Sequence, residues 1–424
     1  MVAPRAARPS PAAAATRPLL PLALLAIWLG IFHLLGHYTG GYGRLSFILL
    51  TLVAALLLGG GRLARVVPRT GGERPIRIVL GLVLAALLVS LAVGLAAELA
   101  RPSGEQFAVD IAMNTYAAGT AFLEGKNPYA EFAQVWHELK PGPHVTVEHG
   151  EVRMYGVPYT YGFPYFPAML LSYLPVRAVV PGYDSLRVTN AILLALNLAG
   201  IFWLARRLAP AGLATLAGLA GGVAYVGVSV LRTELFRYAV TDLVIATYAV
   251  FAFVALSHQR WIVAGVLFGL AQACKLLPGT LLVAPAVLWL WGRPGMLKLL
   301  IAYAATSVAI ILPFVLPAPG LFLSSTILFY LTAHAGGDYS SFWYFLPAAL
   351  KPPFRVVGYL LTAVCVAWAF RRRGDDLLTP LTLAFVAYLV FVAFGTMIHL
   401  NYIWGIYALG CVVLAARAAR AASA

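Results

Sequence analysis

The sequence predicts an all-α polytopic membrane protein of about twelve transmembrane helices, with further helices lying on the membrane surface in one long loop. Three observations carry this reading. Of 424 residues, 62% are hydrophobic and only 11% charged, with a mean hydropathy of +0.87, more apolar than a soluble chain of this size can bury. The apolar residues form continuous runs long enough to cross about 30 Å of hydrocarbon as helix, and continuity in place of alternation excludes a β-barrel. The basic residues are also divided between the two ends of those runs in the manner of topology signals.

The runs are Leu19 to Gly36, Leu45 to Gly60, Ile76 to Leu99, Leu186 to Leu204, Leu213 to Leu231, Thr241 to Leu256, Trp261 to Cys274, Pro278 to Trp291, Leu297 to Leu316, Phe354 to Phe370, Thr379 to Met397 and Tyr402 to Ala416. With the N-terminus inside, the cytoplasmic segments collect Arg5, Arg8, Arg17, Arg62, Arg65, Arg69, Arg74, Arg77, Arg206, Arg207, Arg260, Arg293, Lys298, Arg371, Arg372, Arg373, Arg417 and Arg420, which is 18 of the 30 Lys and Arg. The other side holds 12 basic residues but also 12 of the 15 acidic ones, so the whole formal charge of +15 lies on the cytoplasmic side. The basic residues therefore report topology, and nucleic acid is not an expected partner. Met1 to Pro18 superficially resembles the start of a signal peptide, but Leu19 to Gly36 is long for one and lacks a clear small-residue cleavage site, so it reads as a retained helix. Cys274, Cys365 and Cys411 all lie in apolar runs and offer neither a disulfide framework nor metal-ligand spacing.

The organisation is uneven. Between Ala100 and Leu186 the chain is rich in Pro, Tyr, His and charge, too long for an idle connection, and long ordered loops tend to carry function. Phe107 to Gly125 reads as a surface helix stopped by Gly125-Lys126-Asn127-Pro128-Tyr129, and Phe166 to Val180 as a second. If the second spanned, the next helix would carry Arg206 and Arg207 to the outside, against the charge rule. A similar partial segment, Leu321 to Thr332, precedes His334 and Asp338.

The residues able to do chemistry gather on the outer face. Asp110 sits just past a membrane helix among apolar neighbours, where a carboxylate is costly unless it is used or paired; a helix cap is the simpler alternative. Glu148 and Glu151 around His149 are either divalent-metal ligands or a solvated hairpin. Arg232, Glu234, Arg237 and Asp242 form an outer connection whose arginines suit a phosphate by forked hydrogen bonds, or simply pair with Glu234. Lys275 lies with a helix breaker in Cys274-Lys275-Leu276-Leu277-Pro278-Gly279, deep in apolar sequence, which marks either a functional lysine or a hairpin with a snorkelling one. His334 and His399 both map to the outer face, where each has the chemistry to donate a proton or hydrogen bond to an anion or to serve as a structural histidine.

Taken in order, these residues resemble a family. A membrane helix is followed by Asp110 and Tyr116, then Gly125-Lys126-Asn127-Pro128-Tyr129, then Tyr161-Gly162-Phe163-Pro164-Tyr165-Phe166-Pro167, then Lys275-Leu276-Leu277-Pro278, and finally His399 with Asn401-Tyr402. The pattern resembles the GT-C superfamily of polyprenyl-phosphate-sugar-dependent glycosyltransferases, and most of all glycosyltransferase family 87, which includes polyprenol-phosphate-mannose-dependent mannosyltransferases. The resemblance runs from about Ile76 to the C-terminus, dividing the chain into residues 1–75, a cytoplasmic tail with two extra helices, and residues 76–424, a GT-C-like catalytic domain with its extracytoplasmic loop at 100–185. The two extra helices, and the longer and more charged Val135 to Tyr155, depart from the family pattern.

The resemblance implies an inverting hexosyltransferase of a bacterial plasma membrane. It moves a sugar, mannose or another hexose or pentose, from a polyprenyl-phosphate donor to a lipid or glycan acceptor hydroxyl on the extracytoplasmic face. Asp110 is then the general base. Lys275, Arg232, Arg237, His334 and His399 are the candidate cations for the donor phosphate. Tyr116, Asn127, Tyr129, Tyr161, Tyr165, Asn401 and Tyr402 line a sugar or acceptor groove. Neither a cofactor nor a metal is implied, and the partners are the lipid-linked donor, the acceptor and membrane lipid. The competing class, a transporter or flippase, predicts internal repeats and ionisable residues at the bilayer midplane; the sequence has no visible repeat.

Overall fold

The computed structural model describes residues 73–101, 110–129, 145–148, 151–154, 157–158, 163–328, 347–371, 376–394 and 401–423. The body is built from helices α1 (Glu73–Leu99), α4 (Asp184–Leu208), α5 (Ala214–Val226), α6 (Leu243–Ser257), α7 (Trp261–Gln272), α8 (Leu276–Leu290), α9 (Met296–Val315), α10 (Lys351–Arg371), α11 (Leu378–Phe394) and α12 (Asn401–Ser423); two short helices, α2 (Asp110–Leu123) and α3 (Pro167–Arg177), belong to the long loop. Each described apolar run of the sequence forms one of the body helices, while Leu19 to Gly36 and Leu45 to Gly60 lie outside the described residues.

The expected number of spans needs qualification by length. Among the described residues, four helices are long and apolar enough to cross a bilayer, Ile76–Leu99, Asp184–Leu208, Met296–Val315 and Asn401–Ala421. The others are shorter: α7, with 12 residues, rises only about 18 Å against a hydrocarbon core of about 30 Å. These four spans, with the shorter apolar helices packed among them, make the protein an integral membrane protein.

α12 is the central helix, packed on α4, α5, α6 and α11, with 89% of its apolar window buried, whereas α1 and α9 have 11% buried and turn Leu82, Val89, Leu297 and Ile301 outward. Such surfaces suit hydrocarbon, where an exposed leucine costs nothing and helices associate through close packing instead. One such contact is legible in Gly265-Val266-Leu267-Phe268-Gly269: a Cβ at Gly265 would fall 2.4 Å from the Leu299 carbonyl and one at Gly269 2.8 Å from that of Tyr303, so only glycine lets α7 and α9 meet here. α4 carries Asp184 in its first turn and Arg206 and Arg207 in its last, each charge at the end its helix dipole favours.

The two ends of the bundle are fixed by side chains. At one end Arg420 donates to the Leu208 carbonyl at 2.8 Å and pairs with Asp376, and Arg417 donates to Thr382 at 3.0 Å, which brings the ends of α4 and α12 to the start of α11. The opposite end holds the starts of α3, α4, α6, α8 and α12 and the residues discussed below.

The long loop contains the two expected short helices, of 14 and 11 residues. α2 ends as its sequence requires. Gly125 takes φ +76°, Lys126 N–H bonds the Ala121 carbonyl at 2.8 Å and Gly125 N–H the Phe122 carbonyl at 3.0 Å, the paired bonds of a Schellman stop. Among the described residues the helical architecture is interrupted in this loop, where β1 (Val145–Glu148), β2 (Glu151–Met154) and β3 (Val157–Pro158) form a small antiparallel sheet in the order β1-β2-β3. Glu148 opposes Glu151 as the last pair of the β1–β2 hairpin, and Pro158, which lacks a donor, takes the edge strand.

Candidate active site

The site is organised by a broken helix. In a continuous helix the residue 278 N–H would bond the residue 274 carbonyl, but Pro278 has no N–H. The chain breaks at Lys275, whose backbone is extended at φ −149° and ψ 131°, and α8 restarts with Pro278 in its first turn, where the missing donor is harmless. The freed carbonyls of Ala273 and Cys274 then accept the N–H groups of Ala168, at 2.8 Å, and Phe166, at 3.1 Å. The break thereby docks the end of the aromatic-proline run beside Lys275. Gln272 locks the hairpin by donating to the Leu276 carbonyl at 3.1 Å and accepting from Thr280 at 3.0 Å.

A second irregular segment delivers a carboxylate to the same place. After α5 the chain makes a single turn of helix, Ser229–Arg232, a wide π-turn, Thr233–Arg237, and then Ala239 at φ +55°, a strained conformation for a residue with a Cβ. Strain of this kind persists only when the surroundings over-determine it, and they do. Arg187, fully buried on α4, donates to the Phe236 carbonyl at 2.7 Å; Asn190, one turn on, donates to the carbonyls of Leu235 and Val240, each at 2.9 Å. Tyr173 of α3 donates to Asn190 at 2.6 Å, and the Thr241 carbonyl lies 3.1 Å from the same hydroxyl. Burial first, and then the nearby charge of Asp242, hold the Tyr173 hydroxyl well above its ordinary pKa, so it remains a donor.

The product of both irregularities is an ion pair between Lys275 and Asp242, 5% and 1% exposed. Asn401, the first residue of α12, donates to the other Asp242 oxygen at 2.6 Å. The Lys275 ammonium lies 4.0 Å from the centre of the Tyr402 ring and 5.0 Å from that of Tyr165. Desolvating an ammonium costs several kcal/mol; the carboxylate offsets most of this and the two ring faces add to it. The pair sits beside the N-terminal turns of α2. Thr115 and Thr241 are in hydroxyl contact at 3.4 Å, and Asp110 opens α2 about 7.5 Å along the axis from Thr115.

Of the residues the sequence singled out, Lys275, Tyr165, Asn401 and Tyr402 are therefore brought into one cluster. Tyr129 joins from behind: it is 1% exposed, its hydroxyl donates to the Tyr165 carbonyl at 2.7 Å, and its ring packs on Phe163, Phe314 and Phe322. Asn127 accepts the Tyr129 N–H at 3.0 Å, locking its own turn. Tyr116 stands apart, under the Arg177 guanidinium at 4.3 Å and beside Tyr183. Arg232 and Arg237 are exposed, and the Arg232 stem packs at Gly94 of α1. His334, His399 and Tyr161 lie outside the described residues, as does His149 between β1 and β2.

The sequence named Asp242 only as one charge of the outer connection, with no role as partner of Lys275, and passed over three polar residues of this region, Arg187, Asn190 and Arg177. A signal existed for two of them. Arg187 and Asn190, three apart, and Asn197, seven further, place a polar stripe on one face of an otherwise apolar helix.

No protein-family model matches the sequence, and neither does any curated protein. Solved structures do match its shape. ArnT from Cupriavidus metallidurans bound to undecaprenyl phosphate aligns with a TM-score of 0.51 at 16% identity, over 79% of this chain and 59% of that one. ArnT from the same organism in the apo state aligns with a TM-score of 0.50 at 17% identity, over 79% and 58%. The chain thus spans about three fifths of the ArnT chains it matches. At this identity the likeness is one of fold alone, and the chain shares the fold of these ArnT structures over the aligned part.

Proposed function

We propose that the protein is a membrane glycosyltransferase that moves a sugar from a polyprenyl-phosphate donor to a hydroxyl of a lipid or glycan acceptor on the extracytoplasmic face. The observation that carries this reading is the buried Lys275–Asp242 pair, walled by Tyr165 and Tyr402 beside α2, in a fold shared with a protein whose structure holds undecaprenyl phosphate.

In this reading Asp110 takes the proton of the acceptor hydroxyl as its oxygen attacks the anomeric carbon. The bond from that carbon to the phosphate oxygen breaks on the opposite face, its electron pair leaving with the polyprenyl phosphate, so the configuration inverts. Lys275 meets the growing phosphate charge, while Asp242 holds the ammonium in place in a dry setting. His334, His399, Arg232 and Arg237 are further cations for the phosphate; Asn127 and Tyr129 support the Tyr165 wall from behind, and Tyr161 and, away from the ion pair, Tyr116 serve the acceptor part of the groove. Residues 76–424 form the catalytic domain, residues 1–75 add a tail and two helices, and the chain crosses a bacterial plasma membrane about twelve times with its N-terminus inside. The order of motifs favours glycosyltransferase family 87 and a hexose donor such as mannose.

The test is transfer of radiolabelled sugar from polyprenyl-phosphate mannose and sibling donors to membrane lipid or glycan by the purified full chain in detergent. Asp110→Asn should lower turnover by roughly 10²- to 10⁴-fold with an unchanged melting temperature. Full activity in that variant would remove Asp110 as base, and no transfer from any donor by the wild type would remove the reading.

A further inference from the structure

Two buried polar atoms beside the ion pair, and a third on the neighbouring helix α2, have no partner among the described residues. Asn401 is fixed by chemistry. The Asp242 carboxylate only accepts, so the amide nitrogen must face it and Oδ1 must face away; that oxygen is buried and receives no donor. Tyr388 of α11 is fully buried with an unpartnered hydroxyl. A Cβ on Gly405 would fall 2.7 Å from that hydroxyl, and Gly405 is four residues after Asn401, so the tyrosine oxygen lies one turn along the same face of α12. Asn114, 1% exposed, also has an Oδ1 without a donor. It stands one turn after Asp110 on α2 and precedes Thr115, which touches Thr241 next to Asp242.

Buried polar atoms are nearly always bonded, and two acceptors and a hydroxyl left over around one ion pair describe what is missing. An isoprenoid tail offers no hydrogen bond. A phosphate diester offers only acceptors and leaves both asparagine oxygens unanswered. A ring of hydroxyls offers donors and acceptors together. We propose that Asn401, Tyr388 and Asn114 read the hydroxyls of the transferred sugar, which the phosphate bond holds next to Lys275. The assignment rests on the glycosyl-transfer reading and names the residues that set its sugar selectivity.

The experiment compares the wild type, Tyr388→Phe, Asn401→Leu and Asn114→Leu on polyprenyl-phosphate mannose, glucose, galactose and arabinose. Single-deoxy analogues of the donor transferred fastest follow. Tyr388→Phe removes one oxygen and keeps the ring, so it carries the test even if a leucine variant does not fold. For the intact donor it should lower kcat/KM roughly 10- to 100-fold, and for one deoxy analogue it should change nothing, because the lost partner is already absent. Each asparagine variant should be blind to a different hydroxyl. A Tyr388→Phe loss that is the same for every analogue, or no loss at all, overturns the subsite and leaves the enzyme standing, since the oxygen then serves packing or a buried water. No transfer by the wild type from any of the donors overturns the enzyme and the subsite together.

Discussion

Two aspartate–cation pairs brace this molecule at opposite ends, and they differ in almost every physical respect. Lys275 and Asp242 are 5% and 1% exposed; Arg420 and Asp376 are 39% and 42% exposed. The first pair joins two breaks in regular structure, at Lys275 and after the strained Ala239, and is supported by Asn401 and two aromatic rings. The second joins ordinary helix ends, with a forked arginine on a carboxylate and a spare bond to the Leu208 carbonyl. A half-exposed forked pair contributes little and requires little. A buried pair is a poor way to gain stability, since well-packed apolar residues do as well or better, yet removing one member is severe. Strain, burial and charge spent on something that adds little stability point to function at the Lys275 end and to fastening at the Arg420 end.

The comparison can be broken most directly by Asp242→Ala. Stranding the Lys275 ammonium should cost about 3–5 kcal/mol, read as a large fall in melting temperature in detergent, and should abolish sugar transfer. A melting temperature within a degree of wild type would mean that the Asp242 end is no more demanding than the other.

Sharper still is Asp242→Leu combined with Lys275→Met. With both charges gone, the apolar pair should recover the stability lost by Asp242→Ala and, by the general behaviour of buried pairs, exceed wild type by about 1–4 kcal/mol, while transfer stays absent. A double variant as unstable as Asp242→Ala would show that the pair is structural glue and would remove the basis for assigning it a role in catalysis.

Gly269→Leu probes the bundle away from both pairs. Its side chain meets the Tyr303 carbonyl and Thr306, and forcing α7 from α9 should cost about 1–3 kcal/mol. Because α7 leads into the Lys275 break, the variant should lose transfer in step with stability; stability unchanged would deny the close crossing of the two helices.

How far the sequence disclosed this follows the same divide. Ile76 to Leu99 and Leu297 to Leu316 needed no partner to be read, because an apolar run in lipid is its own evidence, and they appear as Glu73–Leu99 and Met296–Val315. Gly125 announced its helix stop, and Lys275 announced itself as a lone charge beside Pro278. What the sequence hid was partnership. Asp242 was visible only as one charge among Arg232, Glu234 and Arg237 in a connecting loop, and nothing local says that the lysine 33 positions later folds back to meet it. Arg187 and Asn190 were hidden for the same reason: their bonds go to backbone carbonyls near residue 236, which carry no sequence signature. The β1–β2 hairpin was one of the two readings of Glu148 and Glu151, whereas β3 left no pattern because it is only two residues long.

The smallest effect belongs to the exposed pair, and its pH dependence has a definite sign. Partial burial alone would raise the Asp376 carboxyl, but hydrogen bonds from Arg420 and the Leu378 N–H, with the charges of Arg420 and Arg417, hold it below its ordinary value of 3.8. A depressed carboxyl contributes stability that is complete above its unfolded pKa and is lost as pH falls through the lower folded value. Asp376→Asn should therefore cost about 0–1 kcal/mol, and that difference from wild type should be flat between roughly pH 5 and 8, shrinking only below about pH 4. Added salt should shrink it at any pH, since half-exposed charges are screened. Melting curves of the two proteins across that range make the check: a difference that grew as pH fell would overturn the depressed carboxyl, and one that ignored salt would place the Asp376 pair in the same class as the buried one.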